Sequence, residues 1–435
     1  MDSIKVGLLG LGVVGGGTWK VLRRNAQEIA RRAGQTIEVT RIAVRDIEKA
    51  RALVGASIKV DTDPYGLVRD PSIDIVVELM GGDTLARALV LEAIAQGKHV
   101  VTANKALLAK HGTEIFAAAS AKGVVVAFEA AVAGGIPIIK AIREGLTANR
   151  IEWVAGIING TTNFILSEMR SRSLPFATVL AEAQKLGYAE ADPTFDIEGV
   201  DAAHKLTLLA SLAFGIPVQF ERAYIEGISK LSADDIKLAE RLGYRIKLLG
   251  ITKRRPEGIE LRVHPALVPA KSMLANVEGA MNAVLVRGDA VGQTLYYGKG
   301  AGEEPTASAV VADLVDVTRL LTADPEHRVP HLAFQPDSMS DTPILSIDDV
   351  ITSYYLRLTV ADQPGVLADI ARVFSNSGIS IGSMIQQPSD VDASADLVFL
   401  THEAVERNVN VAIAQIEALP FVRSKVTRLR MESLS

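Results

Sequence analysis

Two charged residues on one predicted helix carry the clearest chemical signal in the sequence. Asp201 and Lys205 lie four residues apart, and most of the residues around them are Ala and Leu. Residues at this spacing share one face of a helix, and an ion pair among apolar neighbours is costly to bury unless it serves a purpose. A desolvated lysine can have its pKa lowered into the range useful for proton transfer. The spacing alone equally allows an ordinary surface salt bridge.

A second lysine, Lys105, follows the predicted strand His99–Ala103. Doubly wound sheets bind ligands at the carboxyl ends of their strands, so Lys105 is a candidate site residue. Asn104 could instead cap a helix and leave Lys105 in solvent. The histidines lack the paired spacing of metal ligands, and we interpret His99 and His204 as structural.

A glycine-rich turn, Gly10-Leu11-Gly12-Val13-Val14-Gly15, follows the predicted strand Ile4–Leu9 and precedes a predicted helix over Thr18–Arg32. In this context the glycines favour a tight turn, close approach of the backbone to a pyrophosphate, and close packing of helix on strand. The helix N-terminus would supply N–H donors to the phosphates. Arg45 and Asp46 end the second strand. An acid there suits the ribose hydroxyls and an arginine suits a 2′-phosphate, so Arg45 favours NADP(H) and leaves NAD(H) as the alternative.

The elements around these residues predict an α/β protein with three folding units. Alternating strands and helices over 1–145 predict a Rossmann-type doubly wound sheet, to which a helix at 303–322 returns. Residues 146–302 predict an α+β substrate and dimerisation domain. A proline-rich linker spans 323–349 and includes Pro325. Residues 350–435 follow a βαββαβ order, which is typical of a ferredoxin-like unit.

Composition narrows the class of protein. The 435 residues include 46 Lys and Arg, 51 Asp and Glu, and 48% apolar residues, with a net charge of −5. This balance gives no overall attraction to nucleic acid or to anionic membranes, and we predict neither as a partner. The absence of cysteine excludes disulfides, thiolate metal sites and a thiol nucleophile. It fits a cytoplasmic location.

Several segments, in unbroken order over about residues 4–321, resemble the homoserine dehydrogenase family. They are 102–105 (TANK), 128–132 (FEAAV), 156–163 (GIINGTTN), 187–193 (GYAEADP), 196–201 (DIEGVD) with Lys205, and 298–302 (GKGAG). No aspartate-kinase region precedes them, as in the monofunctional form of the family. Residues 362–367 (DQPGVL) resemble an ACT regulatory domain.

The resemblance implies reduction of L-aspartate 4-semialdehyde to L-homoserine with NAD(P)H, in threonine and methionine biosynthesis. It implies that Lys205 donates the proton, that Lys105 assists between the nicotinamide and the substrate, and that Asp201 orients Lys205 and the substrate. Glu190 would bind the substrate amino group. The resemblance also implies a substrate pocket at Asn159, Gly160, Thr161 and Thr162. It implies cofactor contacts at Gly10, Gly12, Val13, Val14, Gly15, Arg45, Lys105 and Gly302. It implies a sodium site formed by the Glu129 side chain and the carbonyls of Val132, Gly134 and Ile136.

The resemblance also implies assembly and regulation. ACT units usually pair side by side and bind small molecules at the junction, so we expect a homodimer or homotetramer inhibited by L-threonine. Truncation after about Asp324 is predicted to leave an active, insensitive enzyme. Two alternatives remain at this point: another NAD(P)-dependent oxidoreductase of a small amino-acid aldehyde, and a non-catalytic amino-acid sensor. A third alternative is that the C-terminal unit serves assembly alone.

Overall fold

The structure is a computed structural model that describes residues 3–321, 328–388 and 393–434. Asp324 and Pro325, which belong to the predicted linker, lie outside the described residues. Within the described ranges no helix is long and apolar enough to cross a membrane.

The first unit contains a six-stranded parallel sheet of order β3-β2-β1-β4-β5-β6. This order is that of a dinucleotide-binding Rossmann sheet, so the predicted fold is confirmed. The strands are short, and all but the two at one edge of the sheet are mostly buried, as expected for a sheet covered on both faces. They are β1 Ile4–Leu9, β2 Ile37–Ala43, β3 Lys59–Asp61, β4 Ile75–Glu78, β5 His99–Thr102 and β6 Val126–Ala127.

Helices connect these strands, and the first differs from its prediction. The segment predicted as one helix over Thr18–Arg32 forms two, because the chain leaves helical geometry at Asn25 (φ −108°, ψ 19°). No Pro or Gly marks this break. The helices are α1 Val13–Arg24, α2 Ala26–Ala33, α3 Ile47–Val54, α4 Pro64–Val68, α5 Thr84–Ala95, α6 Lys105–Lys122 and the short α7 Ile138–Lys140.

The second unit packs helices on an antiparallel sheet. Its strands pair in the order β12-β11-β7-β9-β10, with the short β8 parallel to β10. The strands are β7 Ile151–Ile157, β8 Tyr224–Ile225, β9 Tyr244–Arg255, β10 Gly258–Pro269, β11 Met281–Gly288 and β12 Gly292–Lys299, and the helices are α8 Gly160–Arg172, α9 Phe176–Lys185, α10 Thr194–Ile197, α11 Val200–Phe214 and α12 Ala233–Arg241.

The predicted returning helix is α13, Glu303–Leu320, and it packs against α1. Gly17 lies so close to it that a Cβ would come within 2.6 Å of the Glu303 carbonyl oxygen. Lys20 and Arg24 pair with Glu303 and Glu304. The apolar face of α13 is buried with the residues of β1, so this helix completes the core of the first unit.

The third unit has the predicted βαββαβ order. It comprises β13 Ile351–Ala361, α14 Val366–Asn376, β14 Ile381–Pro388, β15 Ser394–Thr401, the short β16 Ala404–Val405, α15 Glu406–Glu417 and β17 Thr427–Met431. Its strands pair in the order β17-β13-β15-β14. This is the ferredoxin-like arrangement predicted from the sequence.

The third unit is joined to the second by more than the predicted linker. Strand β17 pairs with β10, so both sheets join into one of eleven strands. Buried ion pairs cross the junction, and the terminal nitrogen of Arg262 lies 2.6 Å from Glu432 with both side chains almost fully buried. Removing β17 would leave the Arg262 guanidinium buried without this partner, which is costly. The third unit is therefore bound to the catalytic sheet through a strand pair and buried charges, and the activity of a protein truncated after about Asp324 stays a prediction.

Candidate active site

The glycine turn leaves open space at the N-terminus of α1. Gly10 adopts φ +91°, which favours glycine, and a Cβ on Gly15 would come within 2.4 Å of the Gly10 carbonyl oxygen. A Cβ on Gly12 would meet no atom within 4 Å. Val13, the first residue of α1, is 68% exposed. The turn is therefore tight where helix meets strand and open where free N–H groups can meet a phosphate.

A cleft of about 970 Å³ extends from this turn to the end of β2. Arg45, Asp46 and Lys49 line it. The Asp46 carboxylate accepts the Lys49 backbone N–H at 3.0 Å and caps α3. No carboxylate among the described residues pairs with the side chains of Arg45 or Lys49, so two cations face the cleft unneutralised. Sequence reasoning found Arg45 and missed Lys49, which lies one helical turn further.

A chain of hydrogen bonds that begins at a buried carboxylate fixes the backbone directly before Lys105. Glu78, at the end of β4, accepts the Thr102 hydroxyl at 2.7 Å, and the Thr102 oxygen accepts the Asn104 N–H at 3.0 Å. Asn104 in turn caps α6 through the Leu107 N–H, as the alternative interpretation of this segment foresaw. Burial raises the pKa of Glu78. The capping part of that interpretation is correct, but its second part, a solvated Lys105, is wrong, because the Lys105 side chain is only 35% exposed and pairs with Asp201.

The ion pair on α11 is buried. Every residue from Asp201 to Phe214 is buried, because this mostly Ala and Leu helix crosses the middle of the second unit. The Asp201 and Lys205 side chains are 4% and 10% exposed. The alternative of a solvated surface salt bridge is therefore wrong. A buried pair of this kind must be matched by further partners.

The carboxylate of Asp201 lies between two ammonium groups from different units. Its Oδ2 is 2.7 Å from Lys205 Nζ, and its Oδ1 is 3.0 Å from Lys105 Nζ. Burial alone would raise the pKa of Asp201, but the two lysines hold it well below its usual value. Burial lowers the pKa of Lys205, and Lys105 lowers it further while Asp201 opposes the change. Burial also acts on Lys105, but the charges of Asp201, Asp196 and Glu190 outweigh it and raise its pKa.

Lys205 keeps one hydrogen available for a ligand. Its ammonium donates to Asp201 Oδ2 at 2.7 Å and to the carbonyl oxygen of Ile158 at 2.8 Å. An ammonium carries three hydrogens, and within the described parts of the chain the third has no acceptor. The lysine is thus fixed in orientation with one donor free.

Asn159 holds Asp201 rather than facing an open pocket. Its amide nitrogen donates to Asp196 at 2.7 Å and to Asp201 at 2.8 Å, and its oxygen accepts the Thr162 N–H at the start of α8. Both amide hydrogens are therefore used within the protein. Asp196 was quoted in the sequence motif but not chosen as a site residue. Burial raises its pKa, and the nearby charge of Asp201 adds to this effect.

The residues proposed for the substrate surround this cluster. Glu190 is exposed, and its negative charge is among those that raise the pKa of Lys105. Thr161 donates to the Tyr188 carbonyl at 2.7 Å, which ties α8 to the segment that carries Glu190. Phe195, 41% exposed, lines a smaller cavity of about 290 Å³ with Val14 and Lys105. Sequence reasoning missed Phe195, because a lone aromatic in a helix as short as α10 carries no signal.

The residues expected to hold sodium lie in a buried loop beside α13. The Glu129 carboxylate accepts the N–H groups of Ile139 and Lys140 at 2.9 and 2.8 Å, and burial raises its pKa to about 7. A Cβ on Gly134 would come within 2.4 Å of the Gly300 carbonyl oxygen, so this loop packs against 298–302. Gly302 follows, at φ +129°, and caps α13. The loop that contains Glu129 and Gly134, the segment 298–302 and helix α13 are therefore packed against one another.

His204 is structural, as interpreted from the sequence. Its ring lies between Phe195 and Phe220, with centroids 5.4 and 4.3 Å away. Neither ring nitrogen has a hydrogen-bond partner within the described ranges. Burial lowers its pKa to about 4. His204 is therefore a neutral aromatic contact between α11 and Phe195.

A Rossmann sheet with an open glycine turn, facing a buried acid and two lysines, defines an NAD(P)-dependent oxidoreductase. Family models agree: that for the homoserine dehydrogenase NAD-binding domain matches residues 10–129, that for homoserine dehydrogenase matches 137–315, and that for the ACT domain matches 354–421. The chain is 61% identical over its full length to a homoserine dehydrogenase from Pseudomonas aeruginosa and 57% identical to one from Neisseria gonorrhoeae, each covered completely. This chain belongs to the homoserine dehydrogenase family.

Solved structures agree with this assignment. The crystal structure of a homoserine dehydrogenase from Thiobacillus denitrificans has a TM-score of 0.96 and 68% identity, over 100% of this chain and 99% of that one. The crystal structure of a Staphylococcus aureus homoserine dehydrogenase has a TM-score of 0.77 and 34% sequence identity, over 99% of this chain and 99% of that one. The chain is an oxidoreductase of this family, and the alternative of a non-catalytic sensor is not retained.

Proposed function

We propose that the protein reduces L-aspartate 4-semialdehyde to L-homoserine, with Lys205 as the proton donor. The observation that carries this proposal is the Lys205 ammonium, which is buried, held by two acceptors and left with one free hydrogen. NADPH, when bound, supplies the hydride that reaches the aldehyde carbon. Negative charge then develops on the carbonyl oxygen, and a preorganised ammonium stabilises that charge and protonates the oxygen.

The remaining site residues position the reactants. Asp201 orients Lys205 and balances both ammonium groups. Lys105 adds a second positive charge on the cofactor side. Glu190, exposed beside Lys105, pairs with the substrate amino group. The N–H groups and hydroxyls at Gly160, Thr161 and Thr162 bind its carboxylate, and Asn159 acts by holding Asp201.

Cofactor contacts follow the cleft. The glycine turn, with Gly10, Gly12, Val13, Val14 and Gly15, binds the pyrophosphate, and Gly302 and Lys105 complete the nicotinamide end. The unpaired cations Arg45 and Lys49 suit the 2′-phosphate of NADP(H), and NAD(H) remains the alternative. A hyperthermophilic archaeal homoserine dehydrogenase, 25% identical with a TM-score of 0.63 over 73% of this chain and 98% of that one, is described in complex with NADPH. That relative supports the same cofactor here.

A sodium ion fits the loop that contains Glu129. No hydrogen bond from the described residues reaches the carbonyls of Val132 or Gly134, and the Ile136 carbonyl accepts only the Ile138 N–H at 2.8 Å. Ala133 and Gly134 both adopt left-handed geometry. Three carbonyls and one carboxylate suit a monovalent cation better than a divalent one. The ion would fix the loop that packs on residues 298–302.

We also propose the arrangement of the whole protein. The units extend over 1–145 with the returning helix, 146–302 and 350–435, joined by a linker over 323–349. β14 forms one edge of the large sheet in the described part of the chain, which suits side-by-side pairing in a homodimer or homotetramer. L-threonine would bind at that junction as an inhibitor. The protein would act in the cytoplasm.

Purified protein, NADPH and L-aspartate 4-semialdehyde test the central proposal. We expect NADPH to be consumed and homoserine to form in equal amount, which amino-acid analysis measures. NADPH consumption with other small aldehydes but not with this one would reject the proposed substrate. A Lys205→Ala variant that keeps wild-type turnover would reject the proposed proton donor.

A further inference from the structure

Arg430 lies at the junction between the third unit and the catalytic sheet, and its side chain has partners on both sides. It is 1% exposed. Towards the third unit it donates to Glu406, the first residue of α15, at 2.9 and 2.5 Å. Towards the second unit it donates to Glu226 at 3.0 Å and lies 4.9 Å from the Tyr224 ring centroid. A buried arginine with carboxylate partners in two units fixes their relative position.

Glu226 belongs to a short segment, 224–228, that supports the turn before α11. The Glu226 N–H donates to the Val263 carbonyl in β10 at 2.8 Å, and the Ile228 N–H donates to the Ile197 carbonyl at 2.8 Å. A Cβ on Gly227 would come within 2.4 Å of that same Ile197 oxygen. The segment is thus in close contact with the turn and cannot shift without moving it.

The turn that receives these contacts places the reactive carboxylate. Asp196 accepts the Asn159 amide, and Gly199, at φ +83°, starts α11 two residues before Asp201. A Cβ on Gly199 would lie 3.1 Å from Val263 and 3.3 Å from Ile225. The segment around Glu226 and the start of α11 therefore share one tightly packed boundary.

We propose that Arg430 and Glu226 are positioning residues for the reaction, acting through this turn on Asp201 and Lys205. The third unit then contributes to the geometry of the active site even without an effector. The proposal rests on the proposed function only in taking Asp201 and Lys205 as the reactive pair. It concerns the pair's placement, not its chemistry.

The test compares two carboxylate-to-amide changes at the same junction. Glu226→Gln removes the negative charge through which segment 224–228 pairs with Arg430. Asp235→Asn is the matched control, because Asp235 pairs with Arg357 at 2.6 Å across the junction and its side chain is 1% exposed, but no hydrogen bond or ion pair described for it reaches segment 224–228. We expect Glu226→Gln to lower kcat by about 10- to 100-fold, since small misplacements of reacting groups have effects of this size. The KM for NADPH should stay unchanged. Asp235→Asn should lower Tm at least as much, with kcat within about twofold of wild type.

A second variant protects the test against misfolding. Arg430→Lys keeps the positive charge but loses the guanidinium group that donates to Glu406 and Glu226 at once. We expect its kcat to lie between those of wild type and Glu226→Gln. Wild-type kcat in Glu226→Gln, or an equal fall of kcat in Asp235→Asn, would overturn the proposal, because the junction would then act through stability alone. A failure of the proposed chemistry would appear instead in Lys205→Ala, whatever Glu226→Gln does.

Discussion

Lys105 Nζ lies 3.0 Å from Asp201 Oδ1, so one ion pair joins the dinucleotide-binding unit to the catalytic helix. Lys105 begins α6 at the carboxyl edge of the Rossmann sheet, and Asp201 lies in the first turn of α11. The pair brings the end of the cofactor cleft to the buried Lys205. In the proposed reaction, this arrangement lets a hydride and a proton reach one carbonyl group from two different units.

The first prediction concerns Lys205. Lys205→Ala should lower kcat by on the order of 10²–10⁴, which is the contribution of a positioned proton donor. Affinity for NADPH, measured by fluorescence titration, should change little because no proposed cofactor contact is lost. Lys185→Ala, an exposed lysine outside the cluster, serves as the control. Near-normal turnover in Lys205→Ala would mean that the lysine is only the partner of Asp201.

The second prediction concerns pH. Lys205 must be protonated to donate, so reduction of the aldehyde should be lost as pH rises through its pKa, which burial sets below 10.5. Asp201→Asn removes the charge that opposes this lowering. The alkaline limb of kcat should therefore move to lower pH, and a profile from pH 6 to 10 measures the shift. Asp196→Asn, which removes a weaker contribution to the Lys205 pKa, should give a smaller shift. An unmoved limb in Asp201→Asn would assign the titration to another group.

The third prediction concerns the cofactor. If Arg45 pairs with a 2′-phosphate, Arg45→Ala should weaken NADPH by on the order of 10- to 100-fold, since a charge-assisted hydrogen bond contributes about 1.5–3 kcal/mol. NADH should be nearly unaffected, because it lacks that phosphate. Lys49→Ala should act in the same direction. KM values for both cofactors measure the effect. If Arg45→Ala weakened the binding of NADPH and NADH equally, Asp46 would become the candidate contact to the adenosine ribose.

The fourth prediction concerns the stability of the fold. His204 has a pKa of about 4 in the folded chain and about 6.5 when unfolded. Below about pH 6.5 the unfolded state therefore binds a proton that the folded state does not, and stability falls as pH falls towards 4. His204→Phe should reduce the loss of Tm between pH 7.5 and 5. Equal losses in both proteins would show that His204 is already protonated in the fold.

The fifth prediction concerns the effector. L-threonine should inhibit the full-length protein, and Gln363→Glu should weaken that inhibition because it places a negative charge beside the start of α14, where a carboxylate would bind. Activity without threonine should not change, since the hydrogen bond described for Gln363, from its N–H to the Ala361 carbonyl at 3.1 Å, stays within the third unit. Inhibition that is absent in wild type, or equal in both proteins, would leave the third unit an assembly device. Truncation is a poor test, because it also removes Glu432 and Arg430.

Local patterns predicted much of the fold and the candidate site. The glycine turn, the alternation of strands and helices in the first unit and the apolar helix around Lys205 are each visible in a short stretch of sequence. The joining of the two sheets leaves none, because β17 has an ordinary strand pattern and pairs with β10 through only two residues. Arg430 and Glu432 appear in the sequence as charged residues near the end of a strand. Their burial depends on partners more than 150 residues away, Glu226 and Arg262.

The pairing of β10 with β17 also has a consequence for synthesis of the chain on the ribosome. β10 is complete at Pro269, but the strand that pairs with its Ala266 and Leu267 begins only at Thr427, so this part of the sheet edge stays unpaired while the intervening chain is made. Open strand edges recruit other strands, and long-range pairing is slow to form. The last strand made is therefore the one that joins the two sheets, and until it is available the unpaired edge is a point at which the growing polypeptide can aggregate.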